Sequence, residues 1–285
     1  MGYQLWISPQ TGIRRKGTTF KELQNFFVDQ ITTKFIFEPL YSCNINDNGL
    51  IVREQLEKKD FDIVGVIDDK KNVIGYAKKD DLKNRRIIDF VRNFDMNLII
   101  TDSSPISRLP SLLASKGFVF VMQVDKIIGI VTTADINKPV FRIYLFGIIS
   151  LFEMHLNYWI NSFYSDSEWR EILTEQRFKE AMRIYDLRKG YNQDLSVLEC
   201  LQFCDKREVL KNTREFILYF NFLKNKFDKF LIIVEKIRNE LVHNQNSLIS
   251  NVKWNIFIET ISLIEKFLFE SEQIIEEKTR TKSII

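Results

Sequence analysis

"GIVTTAD", residues 129–135, repeats the pattern of "GYAKKDD", residues 75–81, at an interval of 54 residues. Each copy follows a run of β-branched and aromatic residues with a polar break in its middle, "FDIVGVIDDKKNVI" in the first and "FVFVMQVDKII" in the second. Such runs read as two hairpin strands around a turn, and the turn is longer in the first copy. Ahead of each hairpin stands a helical stretch, "NGLIVREQLEKK" or "SPISRLPSLLASKG". Each unit therefore predicts a strand, a helix, two hairpin strands and a second helix after the aspartate. A duplicated α/β module is the consequence.

Outward from the repeat, the chain changes character at Lys138-Pro139. Beyond it strand signals stop, and long segments of 3.6-residue period follow with hardly a glycine apart from Gly147 and Gly190, the pattern of an all-α helical bundle. Two domains are expected, 1–138 and 139–285. Before the repeat, Thr19 and Glu22 make a capping-box pattern that opens an amphipathic helix with Phe20, Leu23, Phe26 and Phe27 on one side, expected to pack on the repeat pair. Arg14, Arg15 and Lys16 form a small basic cluster, suited to a phosphate or to a solvated loop.

With 285 residues, 45% of them apolar, the chain can bury a sizeable core. Its 41 basic and 38 acidic side chains leave a net charge of only +3, which excludes a strongly basic nucleic-acid binder; any such contact must be local. Cys43, Cys200 and Cys204 are too few and wrongly spaced for a disulfide framework, and the first thirty or so residues lack a signal-peptide pattern, so a cytoplasmic location is expected. Cys200 and Cys204, four apart on a predicted helix, suit packing or, with a third ligand, a metal; two thiolates alone make no site. The apolar run Ile143 to Phe152 is closed by Arg142 and Glu153, short of the roughly 18 residues of a membrane span, so a buried core helix and no membrane partner are expected.

The repeat ending carries chemistry of its own. A strand that stops at Thr132 or Thr133 and opens a helix offers free N–H groups and a hydroxyl to a phosphate, and Asp135 can accept from a ribose diol. Equally, Thr133 can cap the helix while Asp135 favours its positive end. Residues 33–140 resemble a pair of CBS repeats, a Bateman module, with the G-h-h-T-x-x-D ending of the second copy as the most specific feature. That resemblance implies an adenine nucleotide as regulatory ligand, with Thr132 at phosphate, Asp135 at ribose, and the base near "ITDSSP", including Thr101 and Asp102, and near Phe118. In the first copy Asp81 is retained, while Lys78 replaces the threonine and would meet phosphate through charge.

In the second domain, Phe227, Phe230, Val234, Ile237 and Leu241 recur at alternating intervals of three and four, giving one apolar stripe on a helix over about 226–242. Asn239 lies two residues past a stripe position, about 200° round the cylinder, and His243 shares that outer line with Ile232. Arg238 lies between the two faces. A polar helix end would account for these residues too, since a cation near a helix C-terminus is favoured by the helix dipole. Arg238, Asn239 and His243, on the penultimate long helix of a helical domain, resemble the R-x4-6-H motif of the HEPN family over about residues 140–278. The resemblance implies a metal-independent endoribonuclease acting as a homodimer, with RNA as substrate and no catalytic cofactor. In some toxins of that family a tyrosine follows the histidine after one residue; here Gln245 stands there. The residue types suit the reaction: an imidazole moves a proton near neutral pH, a guanidinium grips two phosphate oxygens, and Asn239 orients either. His155, on the first helix of the bundle near Glu153, is expected to be a packed histidine. The combined reading is a nucleotide sensor joined to a ribonuclease, a pairing suited to stress or anti-phage defence; its alternative is a non-catalytic regulatory adaptor whose bundle only dimerises or holds a partner.

Overall fold

The computed structural model describes residues 19–164, 168–191, 196–242, 247–248 and 252–282. The chain divides into two units, Phe27–Phe141 and Arg142–Ile285, the second including the described residues up to Phe26. The first helix, α1 (Phe20–Asp29), opens with the expected capping box: Glu22 N–H donates to Thr19 Oγ1 at 3.0 Å, and Thr19 N–H donates to Glu22 Oε2 at 3.2 Å. Its start goes with the helical unit and not with the repeat pair, correcting the expectation from sequence. The reason is a free donor at the helix start: Phe20 N–H finds the buried Glu272 Oε1 at 3.0 Å. Arg14, Arg15 and Lys16 lie outside the described residues.

The α/β unit is built twice over. The first copy comprises β2 (Ser42–Asn44), α2 (Gly49–Lys59), β3 (Ile63–Ile67) and β4 (Val73–Lys78), preceded by β1 (Glu38–Pro39); the second comprises β5 (Ile99–Thr101), α3 (Leu109–Lys116), β6 (Phe118–Gln123) and β7 (Lys126–Thr132). Each strand–helix–strand unit makes a parallel pair, β2 with β3 and β5 with β6, and each hairpin an antiparallel one. Asn48 starts α2 by accepting Leu50 N–H on its side chain at 2.9 Å, and Gly117, at φ 78°, ends α3 in the left-handed region that glycine adopts freely.

The two copies exchange their leading segments. Glu38 pairs with Ile130 of the second copy's hairpin, and Arg92, 54 residues after Glu38, pairs with Tyr76, 54 residues before Ile130. The repeated glycine follows from this crossing. A Cβ on Gly129 would stand 2.2 Å from Phe37 Cδ2 and 2.7 Å from Glu38 O, and one on Gly75 would stand 2.6 Å from Arg92 O and 2.7 Å from Val91 Cγ1. Between the copies Tyr76, Phe94, Phe118 and Phe120 form one aromatic cluster, with ring centroids 4.8–6.0 Å apart. Each motif aspartate lies inside a short 3-10 turn, Lys79–Asp81 or Thr133–Asn137, and a long helix follows only in the second copy, from Pro139. There Pro139 separates turn from helix, since it holds the preceding Lys138 extended at ψ 147°.

The helical unit comprises α4 (Pro139–Phe163), α5 (Glu175–Lys189), α6 (Phe203–Asn212), α7 (Arg214–Tyr219), α8 (Lys224–Val242) and α9 (Trp254–Lys282). The apolar run at Ile143–Phe152 becomes part of a 25-residue helix, which by length and composition alone is long enough to cross a membrane, contrary to the short span read from sequence. Half of its most apolar window is buried, and Phe152, Leu156, Trp159 and Ile160 are core residues. His155 is packed among them, its Nδ1 2.7 Å from Ser271 Oγ and its Nε2 3.1 Å from Glu272 Oε1. On α8, Phe227, Phe230, Val234 and Ile237 are buried and Leu241 is half-buried, as the stripe predicts. Cys200 and Cys204 do not share a helix: Cys200 ends a 3-10 turn, and Gln202 caps α6 by donating its N–H to Asp205 Oδ2 at 3.0 Å. Burial pushes both thiols above the ordinary range, as packed cysteines require. No group of three metal-ligating side chains occurs among the described residues.

Candidate functional site

The second repeat ending closes on itself. Thr132 N–H and Oγ1–H both donate to Asp135 Oδ2, at 2.7 and 3.0 Å, which makes Thr132 and not Thr133 the residue at the cap. The other carboxylate oxygen, Oδ1, takes Lys138 Nζ at 2.8 Å. Lys138 Nζ also donates to Glu38 Oε1 and Ile36 O, each at 2.5 Å. Burial pulls the Lys138 pKa down, but hydrogen bonds to Asp135 and Glu38 outweigh it and hold the ammonium above its usual range. Asp135 is only 7% exposed. The residue expected to meet a ribose thus spends both oxygens on the cap and on Lys138.

In the first copy Asp81 Oδ2 accepts from Arg92 Nη2 at 2.8 Å and from Arg92 Nε at 3.1 Å. Lys78 stands at the position of Thr132 and sends its ammonium across to the second copy, 5.8 Å from the Phe118 ring centroid, a cation–π distance.

Thr101 and Phe118 do not come together. Thr101 pairs with Met122 at one end of β6, and Phe118 pairs with Thr132 at the other, about 13 Å away at the rise of a strand. Thr101 Oγ1 shares hydrogen bonds with Ser103 and Ser104, and Asp102 Oδ2 accepts from Gln123 Nε2 at 2.7 Å. Phe118 is buried in the aromatic cluster, in tilted-edge contact with Tyr76 and Phe120. The residues level with Phe118 are those just before β5: continuing the pairing of Ile99 with Phe120 brings in Asn97. Asp95 Oδ1 accepts Asn97 N–H there at 2.9 Å, and this bond, joined by Lys116 nearby, keeps the Asp95 carboxyl below its usual range. The parallel pairing expected of a strand–helix–strand unit is the signal that points to them.

The third place lies on the last turns of α8. Arg238 is half-exposed, and its Nε lies 3.5 Å from Glu153 Oε2 of α4. Glu153 Oε1 in turn accepts Lys206 Nζ of α6 at 2.6 Å, and Lys206 is only 2% exposed. Asn239 is exposed, while His243 lies outside the described residues. Ile232, on the same outer line, enters the lining of a cavity of about 780 Å³ with Phe230, Ile233, Ile256 and Leu263.

No protein-family model matches the chain, and no curated protein matches it. Solved structures similar to its N-terminal part are CBS-domain pairs. They include the CBS domains of a transcriptional regulator from Streptococcus pneumoniae, at 16% identity over 38% of this chain and 98% of that one, with a TM-score of 0.34. CBSX2 in complex with AMP is similar at 19% identity over 39% of this chain and 97% of that one, TM-score 0.34. The CBS domain of a bacterial CNNM/CorC family Mg2+ transporter in complex with ATP is similar at 13% identity over 42% and 96%, TM-score 0.34.

Proposed function

We propose that the chain is a nucleotide-regulated, metal-independent endoribonuclease, in which the repeat pair is a CBS-type sensor of an adenine nucleotide and the helical unit is a HEPN-like effector acting as a homodimer. The observation that carries the reading is the outer side of α8, where the half-exposed guanidinium of Arg238 and the exposed Asn239 stand one helical turn ahead of His243 in sequence. In the proposed reaction an RNA 2′-hydroxyl attacks its own phosphorus. The P–O2′ bond forms as the P–O5′ bond breaks, the 2′-hydroxyl proton leaves to a base, and the departing O5′ takes up a proton. His243 supplies one of these transfers, and Arg238 offsets charge on the equatorial oxygens. An isologous contact through the face of Ile232 and Asn239 would place two such sets in one cleft.

Single-stranded RNA, assayed with and without adenine nucleotides, tests this. Cleavage should yield 2′,3′-cyclic phosphates, persist in chelator and spare DNA, and His243→Ala should slow it by roughly 10²- to 10⁴-fold. The second reading, a non-catalytic adaptor, draws on the acid beside Arg238: a guanidinium already matched by Glu153 suits a structural tie. Equal inertness of wild type and His243→Ala on varied RNAs, under all those conditions, would leave the adaptor.

A further inference from the structure

We propose that Glu153 is a positioning residue for Arg238, held for that purpose by the buried ammonium of Lys206; the proposal rests on the ribonuclease reading. An ammonium taken out of water is strongly disfavoured unless it is paired, so a lysine at 2% exposure needs an anion as close as Glu153 Oε1, 2.6 Å away. That bond fixes one oxygen of Glu153 and thereby aims the other. Oε2 faces Arg238, and the guanidinium nitrogen nearest to it is Nε, at 3.5 Å. No second acceptor reaches this guanidinium among the described residues, and the side chain is 39% exposed.

The consequence is a division of the guanidinium into two edges. Glu153 holds the Nε side against α4, and the far pair, Nη1 and Nη2, is left to two oxygens of a phosphodiester, the bidentate geometry that arginine makes with phosphates. Three helices contribute one charge each: Lys206 from α6, Glu153 from α4 and Arg238 from α8. A flexible side chain on an outer helix face thus acquires a fixed direction without being buried itself.

The test compares single-turnover cleavage of one RNA with binding of its uncleavable all-deoxy counterpart, using the full-length chain. Glu153→Ala should slow cleavage by about 10- to 100-fold, the loss expected from an ångström-scale misplacement, while changing the dissociation constant of the deoxy strand by less than about threefold. Glu153→Gln keeps an acceptor oxygen but must divide it between Lys206 and Arg238. Pairing it with Lys206→Met returns that oxygen to Arg238, so the double variant should cleave faster than Glu153→Gln alone. Melting curves identify any variant that does not fold, in which case Glu153→Gln and the double variant decide. If Arg238→Ala stops cleavage but neither Glu153 variant slows it, the positioning role is wrong and the ribonuclease reading stands. Tighter binding and faster cleavage by Glu153→Ala would make Glu153 a competitor of phosphate and overturn the proposal. If Arg238→Ala cleaves like wild type, or wild type cleaves no RNA, the reading itself falls and this inference with it.

Discussion

The two copies of the repeat share a backbone and differ in charge. In both, the glycine of the motif lies under the segment crossing from the other copy, and in both the motif aspartate meets a cation. The crossing residue itself changes sign. Arg92 takes Asp81 directly in the first copy, whereas the equivalent Glu38 would repel Asp135 in the second, and Lys138 stands between the two acids. Close packing of a crossing strand tolerates one answer at the glycine, since no side chain fits. The charge requirement at the strand end has at least two answers, so the polar residues diverge where the backbone does not.

The sharpest way to break this comparison is at the glycines. Gly129→Val should cost about 3 kcal/mol or more and Gly75→Val a comparable amount, because backbone carbonyl oxygens stand in the way in both copies. Chemical denaturation of the two variants checks this; a tolerated valine in either copy would show that the crossing gives way there. A nucleotide should sharpen the comparison next. At 100 times its dissociation constant an adenine nucleotide should stabilise the folded chain by about 2.7 kcal/mol, seen as a raised melting temperature. If the second copy is the binding one, Asp135→Ala should remove that shift and Asp81→Ala should spare it.

Smaller effects concern the unliganded chain. Asp135→Ala loses a cap and one of the two carboxylates that hold Lys138, an expected cost of about 1–2 kcal/mol, whereas Asp81→Ala removes an exposed ion pair worth about 0.5 kcal/mol. Parallel melts of the two alanine variants measure the difference, and equal costs would dissolve the asymmetry. Lys138→Met should cost about 1 kcal/mol. Because the Lys138 pKa is raised in the folded chain, that contribution is complete below the ordinary lysine pKa and is lost as pH rises through the raised one. The gap between wild type and Lys138→Met should therefore be flat from about pH 6 to 9 and shrink above about pH 10.5.

The hairpins were legible from their runs of β-branched and aromatic residues, Val119, Val121 and Val131 among them, and the α8 stripe because a period of 3.6 survives in the spacing of Phe227, Val234 and Ile237. The crossing was not, since β1 is two residues long and carries no period at all. The aspartate ending was legible as a cap or a ligand site, but its partner Lys138 was hidden by its own place at the end of a turn. The resemblance implied that Thr101, Asp102 and Phe118 would all lie near the base; the parallel register instead sets Thr101 level with Met122 and Asn97 level with Phe118. Lys206 gave no sign in sequence, since a lysine on a helix reads as solvated until the neighbouring helices are known.

The exchange of leading segments also sets an order of events during synthesis. When Glu38 and Pro39 are added to the growing chain, their partners Ile130 and Gly129 are about ninety residues from being made. The first copy can close its own hairpin early, but the short strand ahead of it must wait unpaired until the second hairpin exists. Pairing across so long an interval makes the final closure slow relative to either hairpin. A pause in translation between the copies would leave the short strand Glu38–Pro39 unpaired beside the exit tunnel, the state in which the second hairpin of a neighbouring nascent chain could pair with it instead.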